Sequence, residues 1–277
     1  MLKIPAKAVT TNFKAYALDD LELRAEAPSI FSPGPMTGVS NRYAFVPTAE
    51  IVHALRERDW VPVWVEQQRV RNEARRGFQK HLIRFRRSEQ MQTLDEWNPE
   101  LVLTNSHDAS CAYVLQVGIF RRICSNGLVV SDDSFEAIRF RHAGLKPESV
   151  VEAGFRILDF VPRLGGLIDR FRNRTLADHE ALDFAARALL LRYDSLDQAP
   201  VEPATLLTAR RVEDQGNDLW TTFSRVQENL VRGGISDGRR ARSGRSRSVR
   251  SLRGIDSRVS LNKGLWQIAE DLAAARN

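Results

Sequence analysis

This 277-residue sequence has few cysteines, and it lacks long apolar runs and a secretory leader. Its two cysteines, Cys111 and Cys124, are too few for a disulfide framework, which favours a reducing setting. No run approaches the roughly 20 apolar residues of a membrane-spanning helix, which excludes an integral membrane protein of that kind. Residues 1–20 lack the apolar core of a secretory signal, so we expect a cytoplasmic protein.

Glycine-rich phosphate loops are also missing. Gly233 and Gly234 are followed by no Lys-Ser or Lys-Thr pair, and no stretch matches a nucleotide-binding loop between a strand and a helix. The sequence therefore disfavours an ATPase and predicts no cofactor. What is present is an ordinary globular composition, with 43% hydrophobic and 27% charged residues, in a chain long enough to bury a core without disulfides or metals.

Positive charge is concentrated in two segments. Residues 233–277 contain ten Lys or Arg against four Asp or Glu, which accounts for the whole net charge of +6. Between Arg69 and Arg87, eight bases face one acid, Glu73. Such clusters favour a surface that binds a polyanion, because phosphate contacts release counterions. The candidate nucleic-acid ligands are Arg69, Arg71, Arg75, Arg76, Lys80, Arg84, Arg86, Arg121, Arg122, Arg239, Arg240, Arg242, Arg245, Arg247 and Arg250.

Two interpretations of the second segment stay open. Its Arg/Ser/Gly composition is typical of a disordered arm that wraps a nucleic-acid backbone. Alternatively, it is a loop across the sheet whose arginines pair with Asp132, Asp133 and Glu136. Solvated surface charge without a ligand is the plainest interpretation of either segment.

Aromatic residues lie near two groups of bases in the first half of the chain, the segment Arg69–Arg87 and the pair Arg121-Arg122. Rings beside arginines are how sequence-neutral single-strand binders hold bases and phosphates, although we expect most of the rings to be core. The rings concerned are Trp60, Trp64, Phe78, Phe85, Tyr113 and Phe120.

Hydrophobic periodicity predicts an α+β fold, with a mainly antiparallel sheet and flanking helices in the first half and a helical second half. Residues 1–40 are predicted to be an extended N-terminal segment, 41–145 a β-rich core, and 146–277 a helical part packed on that core as one domain. The Arg-rich segment covers 236–258. Short strands are predicted at 42–46, 60–65, 78–87, 101–103, 112–123, 127–130 and 137–141, and helices at 49–59, 148–172 with a break near Pro162, 175–193, 218–231 and 260–275. Thr48 and Thr175 are predicted as helix caps, and Pro62 indicates an edge strand or the start of a strand.

The stretch Asn105-Ser106-His107-Asp108, with Cys111 nearby, is the most distinctive candidate for chemistry. His107, Cys111, Cys124 and His142 are weak candidates for a zinc site, because the paired short spacings of such sites are missing. A Cys111 or Ser106 nucleophile with His107 as base lacks an oxyanion loop. A Mg²⁺ site would use Asp108, Asp132, Asp133 and Glu136. In the plainest interpretation, the polar residues shape a turn and the cysteines pack as small apolar side chains, with no catalytic residue and no metal.

Several blocks of the sequence resemble the plasmid- and prophage-borne family called domain of unknown function 932. They are Asn105-Ser106-His107-Asp108 with Ala112-Tyr113-Val114-Leu115, Gly118 to Val130 with its Cys-Ser-Asn-Gly, Leu219-Trp220, Val226 to Leu230, and Gly233-Gly234. The resemblance spans roughly Arg42 to Leu272. It implies a bacterial mobile-element setting, where genes tend to serve replication, recombination or evasion of host defence, and it supplies no catalytic residue.

The leading hypothesis is therefore a non-enzymatic nucleic-acid-binding protein of a mobile element, acting on single-stranded DNA in annealing, recombination or replication. Such proteins often form rings or filaments, so a homo-oligomer follows from the hypothesis. One alternative is an anti-defence protein whose basic face binds an acidic host protein. A second alternative is a metal-dependent nuclease.

Overall fold

The computed structural model describes residues 16–40, 43–91, 97–121, 127–129, 138–140, 147–158, 161–240, 244 and 246–275. Its strands are β1 Trp60–Gln67, β2 His81–Arg87, β3 Trp97–Asn105, β4 Tyr113–Arg121, β5 Gly127–Val129 and β6 Ile138–Phe140. Its helices are α1 Asp20–Glu26, α2 Thr48–Arg56, α3 Pro147–Leu158, α4 Val161–Asn173, α5 Asp178–Leu190, α6 Pro203–Leu206, α7 Leu219–Arg232 and α8 Ile255–Ala274. Within these residues no helix is both long and apolar enough to cross a membrane.

The sheet is antiparallel throughout its described pairings, as the short strands without long intervening helices predicted. Its order is β1-β2-β3-β4, and both β5 and β6 pair with the outer side of β4, at opposite halves of that strand. Strand β1 lies at the edge, where Pro62 loses no ladder hydrogen bond by lacking an N–H. The predicted α+β architecture is confirmed.

The two faces of the sheet are unequal. On one face, Ile83, Leu103 and Leu115 join a large core that also contains α2, α3, α4, α5, α7 and most of α8. On the other face, a small cluster forms from Leu82, Val102, Phe120 and Ile255, with Val259 packed against it. Because side chains alternate along a strand, this second face also receives Arg84 and Arg86 of β2. The first two turns of α8 therefore sit on the basic face of the sheet.

Four local predictions were wrong. Residues 43–47 form no strand, and α1, which buries Leu23, occupies the segment expected to be extended. Thr48 does not cap α2, because Pro47 precedes the helix and the Thr48 hydroxyl binds the interior instead. Helix α5 begins at Asp178 rather than just after Thr175, which forms a β-bridge with Asp218.

The Arg-rich segment follows α7 and folds back on it. Gly234 N donates to Val249 O at 2.7 Å, Val249 N donates to Ile235 O at 3.0 Å, and Leu252 N donates to Val231 O at 2.8 Å. The side chain of Val249 is 1% exposed. The described residues of 233–254 are therefore an ordered loop fixed to the end of α7, not a disordered arm.

Candidate nucleic-acid interface

Strand β2 places two of the predicted phosphate ligands inside the protein. Arg84 Nε donates to Glu100 Oε2 at 2.6 Å, and Arg86 Nη2 donates to Glu100 Oε1 at 2.5 Å. The Glu100 side chain is fully buried, and those of Arg84 and Arg86 are only 12% and 10% exposed. The guanidinium carbon of Arg84 also lies 3.3 Å from the centroid of the Phe120 ring. Both arginines are committed to the interior of the sheet face.

Two more bases of the middle segment pair with carboxylates that are distant in sequence. Arg75 donates through Nε to Asp108 Oδ2 at 2.7 Å, and Lys80 Nζ donates to Asp256 Oδ2 at 2.7 Å. Among the described residues, Arg76 pairs only with Glu73, and that pair is exposed. Exposed pairs of this kind contribute little, so the Arg76 guanidinium is available to an incoming anion.

The described arginines of the C-terminal loop are largely used within the loop and its supports. Arg239 pairs with Glu202 and Asp237, both at 2.8 Å, and Arg247 donates to the carbonyl oxygen of Ala199 at 2.6 Å. Arg240 reaches Gly244 O at 3.5 Å, whereas Arg250 is exposed. Of the remaining candidates, Arg122, Arg242 and Arg245 lie outside the described residues, and Arg121 is described only through its backbone in β4.

The two basic segments meet at one groove of about 1230 Å³ beside the edge strand β1. One wall comes from the end of β1 and the residues that follow it, including Trp64 and Arg69. The second comes from residues 76–79, and the third from residues 252–254 and Arg258 at the start of α8. Arginines from both segments therefore line a common trough, but Arg69 and Arg76 are the only predicted ligands among its described lining residues. The two arginines from the C-terminal segment, Arg253 and Arg258, were not among the predicted ligands. The charged lining residues are Glu26, Glu66, Arg69, Arg76, Arg253 and Arg258.

The charges of the groove are only partly neutralised. Arg258 forms an ion pair with Glu66 across it, and burial lowers the pKa of the Arg258 guanidinium from its ordinary value. Arg69 and Arg253 are exposed and have no carboxylate partner among the described residues. Exposed Arg71 lies two positions beyond Arg69. The groove therefore offers guanidinium groups to an anion from both basic segments.

Trp64 supplies an aromatic surface to the same groove. It lies opposite Arg84 in the β1–β2 pairing, and the guanidinium carbon of Arg84 is 5.7 Å from the centroid of its indole. Trp64 is partly exposed and lines the groove. Among the other predicted rings, Phe78 is partly exposed, whereas the core or its second cluster buries Trp60, Phe85, Tyr113 and Phe120.

The Asn105-Ser106-His107-Asp108 stretch ends β3 in a buried polar cluster rather than in an open cleft. Thr48 Oγ1 stands at its centre, 2.9 Å from His81 Nε2, 3.2 Å from His107 Nε2 and 2.9 Å from Asn105 Nδ2. The hydroxyl of Tyr113 lies 3.1 Å from the same oxygen and donates to Val46 O at 2.8 Å. This cluster ties the start of α2 to β2, β3 and β4.

The environment of this cluster does not favour nucleophilic catalysis. Burial raises the pKa of the Cys111 thiol, and Ser106 Oγ accepts a hydrogen bond from the Cys111 backbone N–H at 3.1 Å. His107 is fully buried, with Nε2 at hydrogen-bonding distance from Thr48. Burial alone would raise the pKa of Asp108, but hydrogen bonds from Ser110, Arg75 and Ser106 hold it below its ordinary value. The Asp108 carboxylate is thus an acceptor for Arg75.

The part of the chain that the structure describes contains no candidate metal centre. Among those residues, no three His, Cys, Asp or Glu side chains come together in a way that could hold a metal ion. Cys124, His142, Asp132, Asp133 and Glu136, which the zinc and Mg²⁺ interpretations required, all lie outside the described residues.

Two arginines and a glutamine are among the groove residues that the sequence reasoning missed. Arg253 and Arg258 were counted in the net charge but not named as ligands, because the sequence placed the start of their helix at residue 260. Gln79 also lines the groove, and no sequence pattern identifies a single glutamine of this kind.

The fold and the groove define a class: an α+β protein that carries a basic trough at the edge of an antiparallel sheet. The chain belongs to the family described as domain of unknown function (DUF932), whose family model matches residues 35–266. Two relatives are the UPF0380 proteins YafZ and YfjQ of Escherichia coli strain K12. Each is 38% identical over 251 residues, which covers 91% of this chain and 90% of the relative. No solved structure matches the chain.

Proposed function

We propose that this protein binds single-stranded DNA without catalysing a reaction, and that it serves strand annealing in recombination or replication. One observation carries the proposal: arginines from residues 69–76 and from residues 253–258, far apart in sequence, line one groove. A strand laid along that groove meets guanidinium groups on both sides. Each contact with a phosphate releases counterions, which is the main source of sequence-independent affinity.

The balance of charge supports an anionic ligand. Four arginines and two glutamates line the groove, and one of the glutamates is already paired with Arg258. A polyanion that enters competes with Glu66 for Arg258 and gains Arg69 and Arg253, which pair with no carboxylate in the described part of the chain. The proposal requires neither a cofactor nor a metal.

The biological setting belongs to the same proposal. The family resemblance implies a mobile element in a bacterial cell, so the protein would act in the cytoplasm on the DNA of that element. Because one groove covers only a few nucleotides, an annealing role requires several protomers side by side on the strand, which makes a homo-oligomer part of the proposal.

Fluorescence anisotropy with a labelled strand of about 30 nucleotides tests the proposal. We expect the logarithm of the association constant to fall linearly with the logarithm of the salt concentration. The double variant Arg69→Ala, Arg253→Ala should bind at least tenfold more weakly at low salt. Its salt slope should be shallower by roughly 1.4, since each phosphate contact on a single strand contributes about 0.7.

Arg156→Ala is the matched control, because Arg156 is an exposed arginine of α3 that does not line the groove. Its affinity and salt slope should equal those of the unaltered protein. If no strand binds at low salt, or if Arg156→Ala weakens binding as much as the groove variant does, the groove is not a nucleic-acid site.

A further inference from the structure

Strand β1 has an open edge over its last residues. Among the described strands it pairs only with β2. Gln68 N donates to Lys80 O at 2.8 Å, and the register of the two strands places these residues opposite each other. Because hydrogen-bonded and non-hydrogen-bonded pairs alternate in an antiparallel ladder, Glu66 also bonds to β2. The N–H and C=O groups of Val65 and Gln67 therefore point away from β2, to the outside of the sheet.

These outward groups differ from those at the start of the strand. Pro62 O accepts from Leu18 N at 2.8 Å, so the chain itself supplies a partner to that part of the edge. Beyond the irregularity in register between Pro62 and Trp64, the outward groups of Val65 and Gln67 have no hydrogen-bond partner among the described residues. Unpaired backbone groups at a sheet edge are a template for a further strand.

The open edge lies at the groove. Glu66 and Gln67 are successive residues, so their side chains point to opposite faces of the sheet. Arg258, in α8, pairs with Glu66 on one face, and Ser29 N donates to Gln67 Oε1 at 2.8 Å on the other. The edge of β1 thus lies between the start of α8 and the 3₁₀ helix Pro28–Phe31. Residues of both neighbours, and the last residues of β1, line the groove.

The edge selects a ligand that carries both donors and acceptors. The outward C=O groups need N–H donors, and the outward N–H groups need acceptors. The phosphates and sugar-ring oxygens of DNA are acceptors, so a DNA backbone leaves the carbonyl oxygens of the edge without a donor. An extended peptide supplies both kinds of group at the spacing of a β-strand.

The groove selects the charge of that peptide. Four arginines and two glutamates line it, and one of the glutamates is already paired with Arg258. Side chains alternate along an added strand, so carboxylates at every second position would all lie on one face of it. Complementary charge of this kind directs association and excludes partners of the wrong sign. The groove therefore fits an acidic segment.

We propose that the edge of β1 at residues 65–67 binds an extended acidic segment of another protein by strand addition. The backbone of that segment pairs with Val65 and Gln67, and its carboxylates contact the arginines of the groove. This inference goes beyond the proposed function, since it gives the groove a protein ligand. Because the segment and a DNA strand both use Arg69 and Arg253, they compete, and the acidic segment displaces the DNA.

Fluorescence anisotropy with a labelled, end-capped peptide of about eight residues, in which Glu and Thr alternate, tests the binding. A peptide with Lys in place of Glu should bind at least about tenfold more weakly. The double variant Arg69→Ala, Arg253→Ala should lose about as much affinity for the acidic peptide, whereas Arg156→Ala should bind it like the unaltered protein. Equal affinity for the acidic and the basic peptide would contradict the proposal.

N-methylation of the peptide distinguishes strand addition from charge attraction alone. An added strand directs every second N–H group towards β1 and the others towards solvent. Two further peptides carry N-methyl groups on every Glu or on every Thr, and their charge is the same. One of them should bind at least about tenfold more weakly than the other, because it loses its hydrogen bonds to the edge. Equal affinities of the two would exclude strand addition.

Competition shows whether the peptide occupies the groove. The unlabelled acidic peptide should release a labelled DNA strand of about 30 nucleotides from the protein. If the peptide binds without releasing the strand, its site is elsewhere and the proposal is wrong. If the strand binds and the acidic peptide does not, this inference is lost and the proposed function stands. If only the peptide binds, the proposed function is lost and the peptide site stands.

Discussion

The carboxylate of Glu100 determines how two arginines of the basic segment are used. It lies fully buried and pairs with both Arg84 and Arg86, so replacing it removes a charged partner from two largely buried guanidinium groups. We expect Glu100→Gln to lower the free energy of unfolding by about 3–5 kcal/mol, as breaking buried pairs does. Urea unfolding followed by tryptophan fluorescence measures the change.

Glu152→Gln, in the exposed part of α3, is the control and should shift the free energy of unfolding by less than about 0.5 kcal/mol. A loss below about 1 kcal/mol for Glu100→Gln would indicate that water reaches Arg84 and Arg86. Both arginines would then again be candidates for phosphate contact.

His81 makes the stability of the fold depend on pH. Burial lowers its pKa from 6.5 to about 3, and the neighbouring His107 acts in the same direction. Between pH 6.5 and about 3, the His81 side chain is therefore protonated in the unfolded chain and neutral in the folded chain. The stabilisation is complete above pH 6.5 and is lost as the pH falls towards 3.

For His81, we expect the free energy of unfolding to drop by about 2 kcal/mol between roughly pH 7 and pH 5 from this one side chain. His81→Asn should remove that part of the pH dependence, whatever it does to stability at neutral pH. His179→Asn, at an exposed histidine of α5, should retain the full dependence. Urea titrations at the two pH values measure it, and parallel losses in all three proteins would exclude His81 as the source.

Among the elements, the end of α7 shows why a glycine pair is required there. Gly233 has φ 68° and ψ −161°, and a Cβ at this position would lie 2.5 Å from Ser251 N and 2.7 Å from Val249 O. Gly234 has φ 78°, but its Cβ would meet nothing within 4 Å. Residues 249–251 thus pack directly on the backbone of Gly233.

Substitution of the two glycines separates close packing from backbone strain. We expect Gly234→Ala to cost about 1–2 kcal/mol, the strain of a left-handed residue with a side chain. Gly233→Ala should cost more than about 3 kcal/mol, because overlap with fixed backbone atoms adds to that strain. Thermal or urea unfolding compares them, and equal losses would mean that the loop moves away from Gly233 at little cost.

The elements also show which local signals were sufficient. The two faces of β2 can be recognised in its sequence, where Ile83 and Phe85 alternate with Arg84 and Arg86. Helix α8 begins five residues before its predicted start, since Ile255 and Val259 pack on Phe120 of the sheet. That contact joins residues that are far apart in the sequence, so the residues around position 255 alone do not reveal it.

For the molecule as a whole, the sequence identified two basic segments but not which of their arginines remain available. A count of charges does not show which carboxylate pairs with which base. Lys80, for example, pairs with Asp256, which lies 176 positions away in the sequence. Desolvated pairs such as Arg86 with Glu100 follow from strand register, which the tally ignores. Each arginine that lines the groove either has no buried carboxylate partner among the described residues or pairs with a carboxylate across the groove.

Helix α8 joins the halves of the molecule, and this predicts how the chain unfolds. Ile255 at its start packs on the sheet, while Leu265 and Trp266 lie in the core shared with α4, α5 and α7. Phe171 and Phe223 contact the Trp266 ring, with centroids at 5.0 and 6.2 Å. We therefore expect one cooperative transition, with tryptophan fluorescence and far-ultraviolet circular dichroism superimposed.

Leu265→Ala should move that single transition as a unit, lowering the free energy of unfolding by about 2–5 kcal/mol, because Leu265 is fully buried. Two separate transitions, with only the helical half affected, would show that the sheet is stable without the helices. The groove is built from the edge of the sheet together with the start of α8. If unfolding is cooperative, binding and folding should be lost at the same urea concentration, which anisotropy measured along the same titration tests directly.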